Sequence, residues 1–348
     1  MKKLLIIVLT FALLALSGCN SNNGTNNNNN NNEPDKLKIE DYFPNTENTK
    51  YDYEGEGNEF AFYTVYTDYA KDGRIQTRTN NGGTEVVKVL ENKNGQLVEL
   101  YSRPETYFRQ NFLDNDYAST GGNIILKEPM EKDNAWTLSD GSKRTITNTD
   151  VEITTPMGTY KALEVTTEGS NYKNVDYYVK DMGLIKTVST GEGYEVSSTL
   201  RSIEKDVPFV QNVNVYFPSL DEDIYYYISK EISFKTNDET KDVVEKMVKD
   251  NGNQATVVST NTKINSLYLN DEERRVHVDF SKEFVSEMNA GSYFESMILQ
   301  SITNTLGNYY GVEEVIITVE DKPYESGHIL MGENEPFKVN LEKTKPMQ

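Results

Sequence analysis

The 348-residue sequence contains one cysteine, Cys19, which directly follows a short apolar run. A single thiol excludes a disulfide within the chain, because a bridge needs two cysteines. Two lysines precede the apolar segment 4–16, and Ser17 and Gly18 stand just before the cysteine. A basic start, a short apolar stretch and small residues at its end are typical of a secretory signal. We therefore expect residues 1–18 to be an export signal.

The four residues Leu16-Ser17-Gly18-Cys19 resemble the lipobox of bacterial lipoproteins. The resemblance implies cleavage before Cys19 and a thioether-linked diacylglycerol on its sulfur. Two acyl chains anchor a protein stably, whereas one chain would be marginal. The alternative is an uncleaved span, but about thirteen apolar residues fall short of the roughly 20 that cross a bilayer. We expect lipidation of Cys19, which would attach the chain to the extracytoplasmic face of the cell membrane.

The composition of the chain is acidic, with a formal net charge of −20 at pH 7. Such a surface repels nucleic-acid phosphates and anionic lipid head groups, so we expect no nucleic-acid partner and no basic membrane-binding patch. Hydrophobic residues make up only 36%, but 23 Tyr and 13 Phe can bury large areas. The length suggests about two domains, and no second apolar run is long enough to span a membrane.

Residues 20–32 are almost entirely asparagine. A stretch without apolar residues cannot bury a core, so we interpret residues 19–40 as a flexible tether. Asn-rich segments also occur in prion-like assemblies, which is the alternative for this short tract. As a tether, the segment would hold the folded part of the chain away from the membrane.

Residues 41–205 show one short strand pattern after another. Turn residues separate these patterns about every 8–12 positions, and Lys93-Asn94-Gly95 is typical of a hairpin turn. The predicted strands are 60–66, 74–79, 85–90, 96–101, 143–148, 151–155, 160–167, 175–179, 184–189 and 194–203. The pattern predicts an antiparallel β-meander, either a curved half-barrel or an open sandwich.

Three parts of this segment resemble a β-rich domain that is common in bacterial envelope lipoproteins. They are Trp136, the turn and strand Gly158-Thr159-Tyr160, and the stretch 177–186 with its turn Lys180-Asp181-Met182-Gly183. The resemblance implies a half-barrel, which in such domains sometimes holds a lipid or another apolar ligand. A carrier or sensor of an apolar ligand is therefore the alternative function for this chain.

After a charged linker that ends at Pro208, the pattern changes to mixed strands and helices. The predicted elements in order are strands 213–218 and 224–233, a helix after the capping residues 237–240, strands 263–269 and 275–280, a long helix with the apolar stripe Phe294, Ile298 and Leu306, and a strand at 315–319. The order β-β-α-β-β-α-β predicts an α+β domain with two helices on one face of a single small sheet.

Several segments within residues 210–330 resemble the GerMN domain of sporulation and spore-germination proteins, which also occurs in many Gram-positive envelope proteins. They are Val215-Tyr216-Phe217-Pro218, Val276-His277-Val278-Asp279-Phe280-Ser281, Gly291-Ser292, the helix core Ser301-Ile302-Thr303-Asn304-Thr305-Leu306, and the strand 312–319. Glu320-Asp321 departs from the family pattern. The resemblance implies a small α/β module that binds or scaffolds envelope complexes without catalysis, and leaves 331–348 as a C-terminal tail.

The residues in this half that could carry chemistry have simpler roles available. His277 alternates with valines on a strand, so we expect it on the solvent-facing side. His328 has no second His or Cys near it in the sequence, which disfavours a metal site. Asp279 and Ser281 could suggest a hydrolase, but before a helix they are expected to cap the following turn.

The remaining clusters do not point to an enzyme. The acidic run 221–223 lacks EF-hand spacing and is expected to be a solvated loop. The tyrosines 225–227 and 309–310 could contact a glycan or a partner, although core and sheet packing is the simpler expectation. No P-loop, nucleophile elbow, GxGxxG or HExxH is present. We predict no catalytic residue, no metal site and no cofactor, and a partner that is either an envelope protein or a second copy of the chain. A cell-wall enzyme remains as a third hypothesis.

Overall fold

The computed structural model describes residues 37–43, 46–115, 122–250 and 256–347. The predicted signal peptide 1–18, Cys19 and most of the predicted tether lie outside these residues. The first described element is the short helix α1, Ile39–Tyr42. No helix in the described part of the chain is long and apolar enough to cross a membrane.

One antiparallel sheet of twelve strands dominates the first half of the chain. Its strands are β1 Lys50–Glu56, β2 Tyr63–Lys71, β3 Arg74–Asn80, β4 Glu85–Lys93, β5 Gln96–Arg103, β6 Asn123–Lys127, β7 Ala135–Thr137, β8 Lys143–Thr155, β9 Gly158–Glu168, β10 Tyr172–Val179, β11 Gly183–Gly191 and β12 Tyr194–Glu204. Because β1 pairs with both β2 and β12, the order is β6-β5-β4-β3-β2-β1-β12-β11-β10-β9-β8-β7. The predicted antiparallel meander and half-barrel are confirmed.

Side chains almost close the half-barrel at its two edges, β6 and β7. The indole N–H of Trp136 on β7 donates to the carbonyl oxygen of Ile124 on β6, at 2.9 Å. Nε of Arg144, on the neighbouring β8, donates to the carbonyl oxygen of Ile125, also at 2.9 Å. These bonds satisfy edge carbonyls that would otherwise be open to pairing with another chain.

Two strand predictions differ from the structure for local reasons. Phe60 and Phe62 lie before β2 instead of inside it, because the Asn58 side chain accepts from the Phe60 N–H at 2.7 Å and holds a turn there. The segments predicted as separate strands at 143–148 and 151–155 form one strand, β8. The polar residues between them are register irregularities within that strand and do not end it.

The second half of the chain has the predicted element order, with one short helix and three short strands added. Its elements are β13 Phe209–Ser219, β14 Ile224–Phe234, α2 Thr240–Lys249, β15 Ile264–Asn270, β16 Arg275–Phe280, α3 Glu283–Ser286, α4 Ser292–Tyr310, β17 Glu314–Val319, β18 Lys322–Pro323, β19 Phe337–Lys338 and β20 Thr344–Pro346. The α+β fold class is confirmed. Residues beyond 331, expected as a tail, supply β19 and β20.

The expectation of a single small sheet in this half is wrong. The hairpin β13–β14 forms its own sheet with β20, whereas β15, β16, β17 and β18 form a second sheet, with β19 pairing to β17. The hairpin packs against helix α4 instead of joining β15, and the Tyr216 N–H donates to the Thr305 hydroxyl at 3.0 Å. Helix α4 ends at Gly311, which has the positive φ of 69° that a left-handed cap requires.

The two halves share one apolar core. The segment 104–115, which we call the strap, follows β5 and contributes Phe108, Phe112 and Leu113 to this core. The outer face of the half-barrel adds Val87 and Val89, and the second half adds residues of both its sheets and of α2 and α4. The strap therefore packs between the halves and adds three apolar side chains to their common core.

Buried charges cross the same boundary. Asp68 on β2 accepts from Arg78 Nη2 on β3 at 3.0 Å, and both side chains are almost fully buried. Arg109 of the strap donates to the backbone oxygens of Asp238 and Lys235, at 2.7 and 2.9 Å. Its guanidinium also lies over the ring of Phe234, 4.6 Å from the centroid. Arg109 thereby ties the strap to the entry of helix α2.

Candidate functional site

A cavity of about 390 Å³ lies against the inner face of the half-barrel. Most of its wall is apolar or aromatic, and the lining residues come from strands on both sides of β1. They are Phe43, Thr46, Tyr51, Tyr53, Tyr63, Val65, Thr67, Ile75, Thr77, Thr79, Val86, Lys88, Leu90, Glu99, Ile125, Tyr178, Met182, Gly183 and Leu184. Small-molecule sites commonly measure about 300–1,000 Å³, so this volume is sufficient for a small ligand.

The alternation of side chains along each strand explains this lining. Alternate residues of a strand point to the same face of a sheet. On β3, for example, Ile75, Thr77 and Thr79 face the cavity. Gln76 and Arg78 are buried on the opposite face, where both donate to backbone oxygens of the strap. One sheet thus serves as the cavity wall on one side and as a docking face on the other.

Two stacked tyrosines form part of the cavity wall. The rings of Tyr53 and Tyr63 lie 4.4 Å apart between centroids, and the Tyr53 hydroxyl donates to the Leu184 carbonyl oxygen at 2.8 Å. Burial raises the pKa of Tyr53 well above its usual value, and the neighbouring Tyr63 raises it further. Burial also raises the pKa of Tyr63, so both phenols stay neutral at physiological pH.

Arg144 and Asp176 hold Tyr178 in place from outside the cavity. Arg144 Nη2 forms an ion pair with Asp176 at 2.7 Å and donates to the Tyr178 hydroxyl at 3.2 Å. Burial raises the pKa of Tyr178, Asp176 raises it further, and Arg144 lowers it, with the net shift upwards. These contacts fix the ring of Tyr178 in the wall, which favours a preformed site.

Lys88 and Glu99 are the only charged residues that line the cavity among the described ones. Their side chains form an ion pair of 2.8 Å and are 39% and 22% exposed. The walls otherwise offer hydroxyls, rings and aliphatic groups. Such an arrangement can bind a ligand and orient one polar end of it.

The sequence-predicted residues of the second half are placed in structural roles. His277 lies on the face opposite the buried Val276 and Val278, as expected. Its ring stacks on Tyr268 at 5.1 Å, and its Nε2 lies 3.0 Å from Glu273. No group of three or more His, Cys, Asp or Glu side chains that could hold a metal is found within the described ranges.

The prediction that Asp279 or Ser281 caps the following turn is wrong. Helix α3 has Lys282 at its N-cap, and the Lys282 side chain makes no capping bond. The carboxylate of Asp279 instead accepts from the Thr318 hydroxyl at 2.6 Å and from the Asp321 N–H at 2.8 Å. The Ser281 hydroxyl accepts from the Lys263 N–H at 2.9 Å. Both side chains join neighbouring strands because the strand ends leave backbone donors open beside them.

His328 belongs to a small cluster around the buried carboxylate of Glu295. Glu295 lies 2.7 Å from His328 Nδ1 and accepts from the Tyr324 hydroxyl at 2.8 Å. Burial raises the pKa of the Glu295 carboxyl, but hydrogen bonds from Ser326, His328 and Tyr324 outweigh this, so the pKa lies below its ordinary value. The cluster ties the loop around residue 326 to helix α4.

The tyrosine clusters and the helix stripe fall mainly in the core. Tyr309 and Tyr310 are buried, and so are Ile298 and Leu306 of the stripe, while Phe294 packs against the core from a half-buried position. The tyrosines 225–227 are half-buried on β14. In the acidic run 221–223, Asp223 pairs with Lys343 at 2.6 Å. These positions match the simpler packing expectation.

Sequence reasoning did not identify two features that the structure brings together. The first feature is the cavity: the sequence predicted its lining residues only as parts of strands. Alternation along those strands was the signal that could have placed the tyrosines and threonines on one face. The buried group of Asp68, Arg78 and Arg109 had no signal at all in the sequence. Its contacts join residues up to 200 positions apart, since the Arg109 N–H donates to the Tyr309 hydroxyl, and no local pattern marks such contacts.

Residues 214–325 match the family model described as Germane: Sporulation and spore germination. The match falls within the predicted segment 210–330 and confirms the predicted sporulation- and germination-type domain. No match is found among curated proteins. Cys19, the one residue predicted to carry covalent chemistry, lies outside the described residues.

Several solved structures show low overall similarity to this chain. The tandem GerMN domains of the sporulation protein GerM from Bacillus subtilis are 21% identical, with 39% of this chain and 46% of that chain covered and a TM-score of 0.29. The chain thus spans less than half of that structure. An exported protein with a YmcC-like fold from Bacteroides fragilis is 10% identical, with 47% and 99% covered and a TM-score of 0.29.

A protein from Clostridium perfringens described as a lipoprotein is 16% identical, with 38% of this chain and 87% of that chain covered and a TM-score of 0.24. At TM-scores this low, the likenesses do not support an argument about fold or function.

Proposed function

We propose that this chain is an exported protein, anchored by lipid on Cys19 to the outer face of the cell membrane, whose Germane module binds an envelope partner during sporulation or germination. The module acts by binding and does not catalyse a reaction. The partner is either another envelope protein or a second copy of the chain. The observation that carries the proposal is the family match at 214–325.

The polar residues of the module support a binding role over a catalytic one. Asp279, Ser281 and Glu295 each hold a strand or loop through hydrogen bonds inside the protein. Asn304 on α4 does the same, because its amide donates to the Asn340 carbonyl oxygen at 2.8 Å and its oxygen accepts from the Asn340 N–H at 2.9 Å. A carboxylate or amide held in this way is positioned to stabilise the fold, not to meet a substrate.

Exposed aromatic side chains offer a surface for a partner. Tyr268 on β15 is 44% exposed and Tyr293 on α4 is 56% exposed. Tyrosine is enriched at protein interfaces because it combines a large apolar area with a polar tip. The net charge of −20 favours a partner surface with basic groups.

The anchor is tested by replacing Cys19 with alanine in the full chain. We expect the parent to incorporate a labelled fatty acid and to fractionate with membranes, and Cys19→Ala to incorporate none. Ser21→Ala, two positions away, serves as the control and should behave as the parent does. Unchanged lipid labelling of Cys19→Ala would refute the anchor.

Binding by the module is tested with a photo-crosslinking amino acid placed in the full chain in native cells. We expect adducts to another envelope protein from positions 268 and 293, and none from the exposed position 194 of the half-barrel. Adducts to a second copy of the chain would identify self-assembly. Adducts from position 194 alone would contradict binding by the Germane module.

We propose a second function for the half-barrel, as a carrier or sensor of an apolar ligand. The observation that favours it is the preformed 390 Å³ cavity with a mostly apolar wall. This function does not depend on the module, because the cavity lies on the sheet face that points away from it.

A further inference from the structure

A row of polar side chains crosses the apolar wall of the half-barrel cavity. Thr67 on β2 is paired in register with Thr77 on β3, and Thr77 is paired with Lys88 on β4. All three line the cavity. Residues directly opposite one another on adjacent strands have their side chains side by side, so these three groups form one continuous polar row.

The row has free hydrogen-bonding capacity. Within the described part of the chain, no hydrogen bond is found to the side-chain hydroxyls of Thr67 or Thr77, although Thr67 is only 6% exposed. The ammonium of Lys88 donates to Glu99 at 2.8 Å. An ammonium carries three N–H donors, so two remain after the bond to Glu99. The row therefore offers several donors to an acceptor in the cavity.

Mainly apolar rows flank the polar one on both sides. Ile75 is paired with Leu90 in one direction. In the other direction, Thr79 is paired with Val65 and Val86, and the tyrosine pair lies beyond them. A ligand that fills such a cavity needs an apolar body and one polar group that accepts hydrogen bonds. The Lys88 ammonium favours a negative charge on that group.

We propose that the cavity binds a single-chain carboxylate amphiphile, a fatty acid, with its carboxylate on Lys88 and Thr77 and its chain along the aromatic wall. This inference rests on the second proposed function and specifies its ligand. The volume of 390 Å³ is in the lower part of the range for small-molecule sites, which suits one hydrocarbon chain and disfavours a two-chain phospholipid.

The ion pair of Lys88 and Glu99 allows a test in which two substitutions should change the affinity in opposite directions. Removing the Lys88 charge takes away the cation that faces the carboxylate, whereas removing the Glu99 charge takes away a like charge beside it. We expect Lys88→Met to weaken palmitate binding at least tenfold and Glu99→Gln to strengthen it severalfold. Neither change should alter the binding of hexadecanol, which has the same chain and no charge.

The experiment uses the purified full chain with a photoactivatable palmitate analogue, followed by peptide mapping. We expect adducts within residues 63–67, 75–79 and 86–90, and their loss when unlabelled palmitate competes. Lys161→Met, at an ion pair whose two side chains are 62% and 70% exposed, is the matched control and should bind as the parent does. Circular dichroism checks that each variant is folded.

Three outcomes would overturn the inference: adducts only outside these strands, equal effects of Lys88→Met on palmitate and hexadecanol, or stronger competition by a two-chain phospholipid. Adducts in the cavity with a phospholipid as the better competitor would leave a carrier function but reject the fatty acid. The membrane anchor and the Germane module are not involved in this readout, so its failure would not affect the first proposed function.

Discussion

The side chain of Gln110 pairs with the backbone of Leu269 as a residue of a neighbouring strand would. Its Oε1 accepts from the Leu269 N–H at 2.7 Å, and its Nε2 donates to the Leu269 carbonyl oxygen at 3.2 Å. Leu269 belongs to β15, the edge strand of its sheet. One glutamine of the strap thus occupies part of an edge that could otherwise pair with another chain.

Gln110→Ala removes both of these bonds. We expect a loss of about 1–3 kcal/mol in the free energy of unfolding, because a part-buried backbone donor and acceptor lose their partner. Urea denaturation measures the loss, and hydrogen exchange should quicken at the Leu269 amide. Gln96→Ala, at a half-buried glutamine of β5, is the control and should leave exchange at Leu269 unchanged. Unaltered protection at Leu269 in Gln110→Ala would contradict the pairing.

Asp68 and Arg78 form a buried ion pair, so the stability lost by removing one charge depends on whether the other is present. Asp68 lies beside two buried guanidiniums, those of Arg78 and Arg109. Asp68→Leu leaves both of them buried with Glu85 as the remaining carboxylate of Arg78, so we expect a loss of about 3–5 kcal/mol in the free energy of unfolding. The double variant Asp68→Leu, Arg78→Leu should cost clearly less than the two single changes added together. A chemical denaturation series measures all three. Additive losses would mean that the two groups do not stabilise each other.

Glu295 should make stability depend on acidity. Its pKa is lowered in the folded chain from an ordinary value of 4.5, so the unfolded chain takes up a proton first as the pH falls. The stabilisation is therefore complete above about pH 4.5 and declines as the pH drops towards the folded pKa. Glu295→Gln lacks this contribution, and we expect it to be less stable than the parent at pH 7 by about 1–3 kcal/mol.

The measurement for Glu295 is the stability difference between parent and variant across pH 3 to 7. This difference should shrink below about pH 4.5. Glu333→Gln, at an exposed loop position, is the control and should show no such trend. A difference that stays constant over this range would mean that the Glu295 charge has no role in stability.

Trp136 should matter for closing the half-barrel. Trp136→Phe keeps an aromatic ring but removes the N–H that bonds the Ile124 carbonyl oxygen across the two edges. We expect a loss of about 1–3 kcal/mol in the free energy of unfolding, seen by circular dichroism, since the chain has no other tryptophan to follow. Tyr194→Phe, at a residue that is 47% exposed, should change stability little. If Trp136→Phe is equally neutral, the side-chain closure is unimportant.

Local sequence patterns predicted most strands of the half-barrel. The turns between strands and the alternation of side chains along them depend on residues that are close in sequence. Lys93-Asn94-Gly95 predicted a hairpin, and the turn has positive φ angles of 54° at Asn94 and 69° at Gly95, which these residues adopt at low cost. The long helix α4 followed from its apolar stripe. Alternation along β16 placed His277 opposite its valine neighbours correctly.

Contacts between distant parts of the chain were not predictable in this way. Whether β14 joins β15 or turns onto helix α4 depends on packing among residues far apart in sequence, so one sheet and two sheets have the same local pattern. The strap shows no strand or helix periodicity, and its role depends on Arg109 meeting carbonyls of Lys235 and Asp238. For the same reason, the cavity became visible only when the strands were arranged side by side.

The pairing of the first and last strands of the half-barrel has a mechanical consequence. Lys50 at the start of β1 lies opposite Glu204 at the end of β12, so the chain enters and leaves this sheet side by side, at the same end of its two central strands. A pulling force between the residues before β1 and those after β12 would separate the paired residues of these strands one after another, starting at Lys50 and Glu204. Asn48 and Thr236 stand in front of this pair, joined by two bonds of 2.8 and 2.9 Å. These two bonds would resist the pull before the β1–β12 pairs do, and the separation would then reach Tyr51 and Tyr53 of the cavity wall.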